Sequence, residues 1–192
     1  MRLLMACWGT AAGRCAPLAG AQLAIALWQD GFTWGALREQ TASALLAWGA
    51  VALAVAVIGS LSLRKRARRA GVPLSVEALD ERQTHLLRAA PVADGWQQRV
   101  RDELTASERV FLVAEKGREE LHFRWRPGRG GQSVWGTMAF DATSGDVCLD
   151  VRDEEGLLGV AGLGKGASFA AVCQIARATG LSPAPGGGLT GP

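Results

Sequence analysis

The most extended pattern in this chain is an uncharged apolar run from Thr41 to Leu63. Its 23 residues are rich in Ala, Val and Leu and contain no Asp, Glu, Lys or Arg. A hydrocarbon core of about 30 Å needs about 20 helical residues, each of which adds about 1.5 Å. The pattern therefore predicts a bilayer-spanning helix over residues 41–63, within a membrane region that comprises residues 1–63.

Residues 3–28 are also apolar, apart from Arg14 and Gln22, and the charged Asp30 follows them. A charge at the bilayer centre costs about 2.5–3.5 kcal/mol, which favours a first span over residues 15–34 with Arg14 at its inner boundary. The alternatives are a cleaved signal peptide ending near Ala19–Ala21, or a lipobox-like Leu4–Cys7 used with a start further upstream. The N-terminal region is therefore predicted to be a transmembrane helix or a helical hairpin.

The residues that follow the apolar run are strongly basic. Residues 64–75 contain five basic side chains and no acidic one, whereas residues 76–192 contain thirteen basic and sixteen acidic side chains, a net charge of −3. Short segments rich in Lys and Arg stay on the cytoplasmic side during insertion, so the C-terminal domain is predicted to be cytoplasmic. Basic residues near a bilayer attract anionic lipid by about 1 kcal/mol each, which makes this linker a predicted anion or lipid contact. The residues concerned are Arg64, Lys65, Arg66, Arg68 and Arg69.

The amino-acid composition indicates the source and the location of the protein. Arg outnumbers Lys by eighteen to three, and Ala and Gly are abundant, as is typical of a GC-rich bacterial genome. Together with the apolar run, this predicts a location in the bacterial inner (plasma) membrane. Because the C-terminal domain is mildly acidic, it has no general attraction for phosphate backbones, and nucleic acid is disfavoured as a partner.

Two helices are predicted at the start of the C-terminal domain. Ser75 is placed to cap a helix that runs to Ala89, with Val76, Leu79, Leu86 and Leu87 on one face. Pro91 would end it. Asp94 is placed to cap a second helix, and its apolar residues Trp96, Val100 and Leu104 recur every four positions. Each apolar face needs a partner surface.

A period of two replaces the helical pattern over residues 109–152. It predicts an antiparallel meander of about four strands: Arg109–Glu115, a strand around Leu121–Trp125, Ser133–Asp141 and Asp146–Arg152. Leu157–Ala161 is a candidate fifth strand, and Ala167–Thr179 a closing helix. The predicted fold class is therefore α+β: a cytoplasmic domain over residues 76–180 with flanking helices, followed by a disordered tail over residues 181–192.

A glycine-rich string before the closing helix is the most suggestive chemical motif. Gly159–Ser168 fits the G-x-x-x-x-G-K part of a phosphate-binding loop, whose backbone N–H groups surround phosphate oxygens. The string resembles the phosphate loop of adenylate kinases, although Ala167 replaces the Thr that follows G-K-G there. The resemblance covers ten residues, and a flexible glycine-rich start to the helix is the simpler interpretation. The candidate ligand-binding residues are Gly159, Gly162, Gly164, Lys165, Gly166 and Ser168.

Other clusters give weaker signals. One strand and its turn present a basic side, made of His122, Arg124, Arg126 and Arg129, that could contact an anion or lipid headgroups. The acidic residues between Asp141 and Glu155 do not have the spacing of an EF-hand loop, and they are interpreted as solvated turn charges. The four cysteines form no C-x-x-C motif, so no metal site and no cofactor is predicted.

These features predict a non-catalytic, membrane-anchored protein whose cytoplasmic domain binds a partner protein or a small ligand. The predicted partners are the lipid bilayer and a protein. One alternative is a nucleotide- or phosphate-binding domain that uses Gly159–Ser168. Another is an accessory subunit of a membrane transport complex, packed through small residues such as Gly49, Ala52 and Ala56. No acid–base pair or nucleophile motif is recognisable in the sequence.

Overall fold

A computed structural model of the chain describes residues 2–30, 33–89, 94–107, 109–117, 119–127, 133–154 and 166–184. The chain forms two compact units, Met1–Ser62 and Leu63–Pro192. Each unit has a simple architecture: two helices in the first, and a sheet with its helices in the second. The long helix α2 runs through the boundary and contributes its last turns to the second unit.

The first unit contains helix α1, Arg2–Asp30, and most of helix α2, Trp34–Ala70. The two helices form a hairpin in which the alanines Ala11, Ala12 and Ala52 are buried together, and the Trp48 indole N–H donates to the Ala12 carbonyl at 3.1 Å. Alanine lets helix backbones approach closely because its side chain is only a methyl group.

Among the described helices, one is long and apolar enough to cross a bilayer: Leu37–Ala70, whose best 18-residue window has a mean hydropathy of 2.3. It contains the predicted span over residues 41–63. The predicted first span, residues 15–34, has different bounds in the structure, where α1 begins at Arg2 and ends at Asp30.

The second unit is built on a six-stranded antiparallel sheet, so the fold is α+β as predicted. Its strands are β1 Arg82–Arg88, β2 Val110–Glu115, β3 Glu120–Trp125, β4 Val134–Phe140, β5 Asp146–Asp153 and β6 Ser182–Pro183. The strand order is β2-β3-β4-β5-β1-β6. Strands β2 to β5 form the predicted meander, and β1 and β6 extend the sheet beyond it. Helix α3, Trp96–Thr105, and helix α4, Ala167–Thr179, complete the unit.

The prediction of a helix from Ser75 to Ala89 is wrong. A short 3₁₀ helix, Val76–Leu79, precedes strand β1, which pairs with β5 along its whole length, from Arg82 opposite Arg152 to Arg88 opposite Asp146. In this strand the neighbours Leu86 and Leu87 point to opposite faces, and Leu87 is buried whereas Leu86 is 40 % exposed. The pairing of β1 with β5 on one side and β6 on the other therefore overrides the helical tendency of this leucine- and arginine-containing segment.

Two other boundaries differ from prediction. Helix α3 forms with Trp96, Val100 and Leu104 buried as expected, but Gly95 rather than Asp94 precedes its first turn, with a φ of +75° that favours glycine. The tail predicted to be disordered begins with an ordered strand, because Ser182 and Pro183 pair with β1. The candidate strand Leu157–Ala161 and residues 185–192 lie outside the described residues, as does Pro91.

The core lies between one face of the sheet and the helices α3 and α4. Leu121, Phe123 and Trp125 of β3 are fully buried there, which confirms the predicted alternation of that strand. Trp96 packs edge-on against Phe140 with ring centroids 5.7 Å apart. Ten of the thirteen residues of α4 are buried, because α4 packs against the sheet and against α3. The side chain of Leu63, in α2, lies beside Gly166 at the start of α4.

Candidate interaction face of the sheet

The second face of the sheet remains partly exposed, and we call it the open face. It exists because successive side chains of a strand alternate between faces, and the opposite set fills the core. Antiparallel pairing aligns its residues into rows that cross four or five strands. Its members are Arg82, Thr84, Leu86, Arg88, Ala114, Glu120, His122, Arg124, Trp135, Thr137, Ala139, Asp146, Cys148, Asp150 and Arg152, together with Phe111 and Arg126 at its β2–β3 end.

A polar row crosses the middle of the open face. His122, Thr137, Asp150 and Thr84 are successive cross-strand neighbours on β3, β4, β5 and β1. The Thr84 hydroxyl donates to Asp150 Oδ1 at 3.1 Å, and Thr137 Oγ1 lies 3.4 Å from His122 Nδ1. His122 Nε2 also lies 3.1 Å from Glu120 Oε1. These contacts join Thr84 to Asp150, and His122 to Thr137 and Glu120.

Ion pairs neutralise most of the arginines near this row. Arg82 donates two hydrogen bonds to the Asp150 carboxylate, at 3.0 and 2.8 Å, and Arg88 binds Asp146 in the same way. Hydrogen bonding to Arg82 lowers the pKa of Asp150, and hydrogen bonding to Arg88 lowers that of Asp146. The carboxylates are therefore charged at neutral pH, and the open face carries both signs of charge close together.

Two arginine–aromatic stacks occupy the half of the open face nearest β2. The Arg124 guanidinium carbon lies 5.3 Å from the Trp135 ring centroid, and that of Arg126 lies 5.5 Å from the Phe111 ring centroid. Phe111 sits where the β2–β3 register shifts, between Val110 and Leu112, and its side chain is 63 % exposed. A β-bulge adds one residue to a strand and redirects its side chains, which accounts for the exposed ring.

The basic side predicted from the sequence is only partly assembled as a cationic surface. His122 and Arg124 do lie on the open face, and Arg126 lies at the end of β3, where its Nε is 3.2 Å from Ser133 Oγ. The Arg124 guanidinium binds the Glu154 carboxylate, which lowers the pKa of Glu154. Arg129 lies outside the described residues. The interpretation of the acidic residues as solvated turn charges is wrong for Asp146, Asp150 and Glu154, because each of them forms an ion pair with an arginine.

Sequence reasoning missed the aromatic members of this surface. Trp135 alternates with Val134 and Gly136, both of which are buried, so the period of two would have assigned it to the exposed face. Phe111 could not be found in that way, because the bulge that exposes it depends on the pairing of β2 with β3.

Of the candidate ligand-binding residues in the glycine-rich string, the structure describes Gly166 and Ser168. Gly159, Gly162, Gly164 and Lys165 lie outside the described residues. Gly166 precedes the first turn of α4 with a φ of +96°, and Ser168 is fully buried. The Ser168 hydroxyl donates to the Glu81 carbonyl at 2.8 Å and also contacts the Asp153 carboxylate. The Ser168 hydroxyl therefore forms its hydrogen bonds within the domain.

The predicted basic linker is helical where it carries its charges. Helix α2 continues through Arg64, Lys65, Arg66, Arg68 and Arg69 and ends at Ala70. Gly71 then adopts a φ of +66°, and the Val72 N–H donates to the Ala67 carbonyl at 3.1 Å, which closes the C-terminus.

The open face also carries one thiol, that of Cys148. Burial raises the pKa of the exposed Cys148 thiol, and nearby Asp150 raises it further, so this cysteine is a protonated thiol at neutral pH. In the part of the chain that the structure describes, no three His, Cys, Asp or Glu side chains cluster as metal ligands. No protein-family model matches this chain, and no curated protein or solved structure matches it either.

Proposed function

We propose that this chain is a non-catalytic protein of the bacterial inner membrane, anchored by α2, whose C-terminal domain binds a partner protein in the cytoplasm. The observation that carries the proposal is the pair of arginine–aromatic stacks on the open face, Arg124 with Trp135 and Arg126 with Phe111. Trp and Arg are enriched among the residues that dominate protein–protein binding energy.

The anchoring part of the proposal is supported by the exposed apolar surface of α2. Leu46 is 76 % exposed and Ile58 is 69 % exposed, in a helix segment that is long enough to cross a bilayer. Large apolar side chains in water are unfavourable by about 25 cal/mol for each Å² exposed, and a lipid environment removes that cost. The basic residues from Arg64 onward favour the cytoplasm for the domain that follows.

The charge arrangement favours a protein over a simple anion as the ligand of the open face. Arg82, Arg88 and Arg124 each have a carboxylate partner, at Asp150, Asp146 and Glu154. An anion would have to compete with these partners. A protein surface can instead match alternating charges while it covers the two aromatic rings.

The two alternative functions are less well supported. A phosphate-binding loop would use Ser168, but that side chain is buried and bonded inside the domain. An accessory subunit would use small residues of α2, yet Ala52 is buried against Ala11 and Ala12 of the same chain. A partner that is itself a membrane complex would still fit the main proposal.

Topology can be tested with Cys148, which is exposed on the open face. A full-length variant with Cys7→Ala, Cys15→Ala and Cys173→Ala keeps this one thiol. A membrane-impermeant maleimide is expected to label it in inverted membrane vesicles and not in intact cells. Labelling in intact cells would contradict a cytoplasmic domain. Labelling after detergent permeabilisation controls for access to the thiol.

Partner binding can be tested by a matched pair of double variants of the full chain, purified from membranes together with whatever it binds. Phe111→Ala with Arg126→Ala removes one stack. Val76→Ala with Arg99→Ala removes an exposed apolar residue and an exposed arginine outside the open face. Loss of one strong contact weakens binding by about 2 kcal/mol, or about 30-fold, so the first variant should lose its partner and the second retain it.

Two results would contradict the proposed binding surface. One is equal retention of the partner by both double variants. The other is equal loss from both, when circular dichroism shows that both remain folded. Trp135→Ala provides an independent check, because it removes the second stack.

A further inference from the structure

A groove follows directly on the predicted membrane span. It has a volume of about 430 Å³ and lies where helix α2 ends and the chain turns away. Ala67 and Val72, both buried, contribute to its floor. Its lining residues are Arg64, Ala67, Arg68, Gly71, Val72, Pro73 and Leu74.

The two arginines of this groove differ from those of the open face. Arg64 and Arg68 are one helical turn apart and exposed, and neither has a carboxylate partner among the described residues. The C-terminus of a helix carries about −0.5 charge, which two guanidinium groups outweigh. The groove therefore presents uncompensated positive charge.

The depth of the groove along α2 indicates which anion would meet it. With the predicted span ending at Leu63, a rise of about 1.5 Å per residue places Arg64 about 1.5 Å and Arg68 about 7.5 Å beyond the end of the span. The headgroup layer on each side of a hydrocarbon core is about 5–8 Å thick. Both arginines are therefore at the level of lipid phosphates.

We propose that this groove binds the phosphate group of one anionic phospholipid, with Arg64 and Arg68 donating hydrogen bonds to its oxygens. This inference rests on the proposed anchoring by α2. A paired arginine site holds phosphate more specifically than scattered charge does, because guanidinium N–H groups match phosphate oxygens in geometry. Binding would fix the end of α2 at a defined depth in the membrane.

The same helix provides a matched control for the groove. Lys65 and Arg69 have the same i, i+4 spacing and the same total charge, and both are exposed, but they do not line the groove. Glutamine is a suitable replacement in both pairs because it keeps a long side chain and helps helix formation. The two variants are therefore Arg64→Gln with Arg68→Gln, and Lys65→Gln with Arg69→Gln.

The experiment uses the full chain in nanodiscs made of equal parts phosphatidylglycerol and phosphatidylcholine. After transfer to mild detergent, native mass spectrometry counts the phosphatidylglycerol molecules that remain bound. We expect one retained molecule for the wild type and for the control variant. Because the groove variant loses charge-assisted hydrogen bonds to the phosphate that the control variant keeps, it should bind phosphatidylglycerol at least about 30-fold more weakly than the control does.

Several outcomes would overturn the proposal. Equal losses in the two variants would show diffuse attraction by the basic segment, and failure of the wild type to retain phosphatidylglycerol would show no site. Displacement of the lipid by millimolar glycerol phosphate would identify a soluble phosphate ester as the occupant. Failure of the chain to enter nanodiscs would instead contradict the anchoring itself, which separates that failure from failure of the groove.

Discussion

The two faces of the sheet use similar side chains for different purposes. The buried face carries Phe123, Trp125 and His85, and the open face carries Trp135 and His122, with Phe111 at its edge. On the buried face the rings are covered by helices, and His85 packs against Phe169 at a centroid distance of 6.3 Å. On the open face arginine guanidinium groups lie over the rings instead.

This difference separates stability from recognition. Apolar area that leaves water on folding stabilises the domain, whereas area that stays exposed becomes available to a partner. Substitutions on the buried face should therefore change the free energy of unfolding, and substitutions on the open face should change binding. That separation can be tested by substitutions in the full chain, in mild detergent.

The largest expected effect comes from a pair of phenylalanines, one on each side of this comparison. Phe123→Ala removes a fully buried ring and should lower the free energy of unfolding by about 3–5 kcal/mol. Phe111→Ala removes a ring that is 63 % exposed and should change it by no more than about 0.5 kcal/mol. Urea titration followed by far-ultraviolet circular dichroism measures both. Similar losses in the two variants would show that Phe111 is part of the core.

A smaller effect is expected at Gly136, which pairs with Phe123 on the buried face. A methyl group at this position would lie 2.7 Å from Phe123 Cε1 and closer still to Cε2 and Cζ. The ring is fully buried and cannot move away, so Gly136→Ala should destabilise the domain by about 1–3 kcal/mol. Urea titration again gives the value.

A second substitution controls for the cause of that loss. Phe123→Leu shortens the side chain over Gly136 and leaves room for the methyl group. The double variant should therefore be more stable than the sum of the two single losses predicts. Simple additivity would mean that the glycine is needed for some reason other than the ring.

The sheet was predictable from sequence where each strand carries its own alternation. Leu121, Phe123 and Trp125 alternate with His122, Arg124 and Arg126, so β3 was predicted correctly. The buried positions of β1 are Gln83, His85 and Leu87, and two of these three are polar. A period of two in apolar residues is therefore absent from β1, and its strand character depends on pairing with β5 and β6.

The candidate site was less predictable than the fold. The sequence indicated basic residues at Arg124 and Arg126, but not which carboxylates or rings they meet. Arg124 binds Glu154, which is 30 positions away along the chain, and Arg82 binds Asp150, which is 68 positions away. Such contacts depend on strand register, which a single sequence does not specify across a six-stranded sheet.

The smallest expected effect is the dependence of stability on pH. The groups of the two faces should lower stability in different pH ranges. Burial lowers the pKa of His85, so the folded domain binds its proton less readily than the unfolded chain, whose histidine pKa is about 6.5. Stability from this group is complete above about pH 6.5 and is lost as the pH falls toward the lowered value. On the open face, Arg82 and Arg88 lower the pKa values of Asp150 and Asp146, so their contribution is lost only below about pH 4.

Replacing His85 with a side chain that does not titrate tests this assignment. Urea midpoints of the wild type should fall between pH 7.5 and pH 5, and fall again below pH 4. His85→Gln should remove the first fall and keep the second, since a glutamine at this position remains neutral and can still donate to the Gln83 side chain, which lies 3.4 Å from His85 Nε2. If His85→Gln left the first fall unchanged, the buried face would not be the origin of the pH dependence above pH 5.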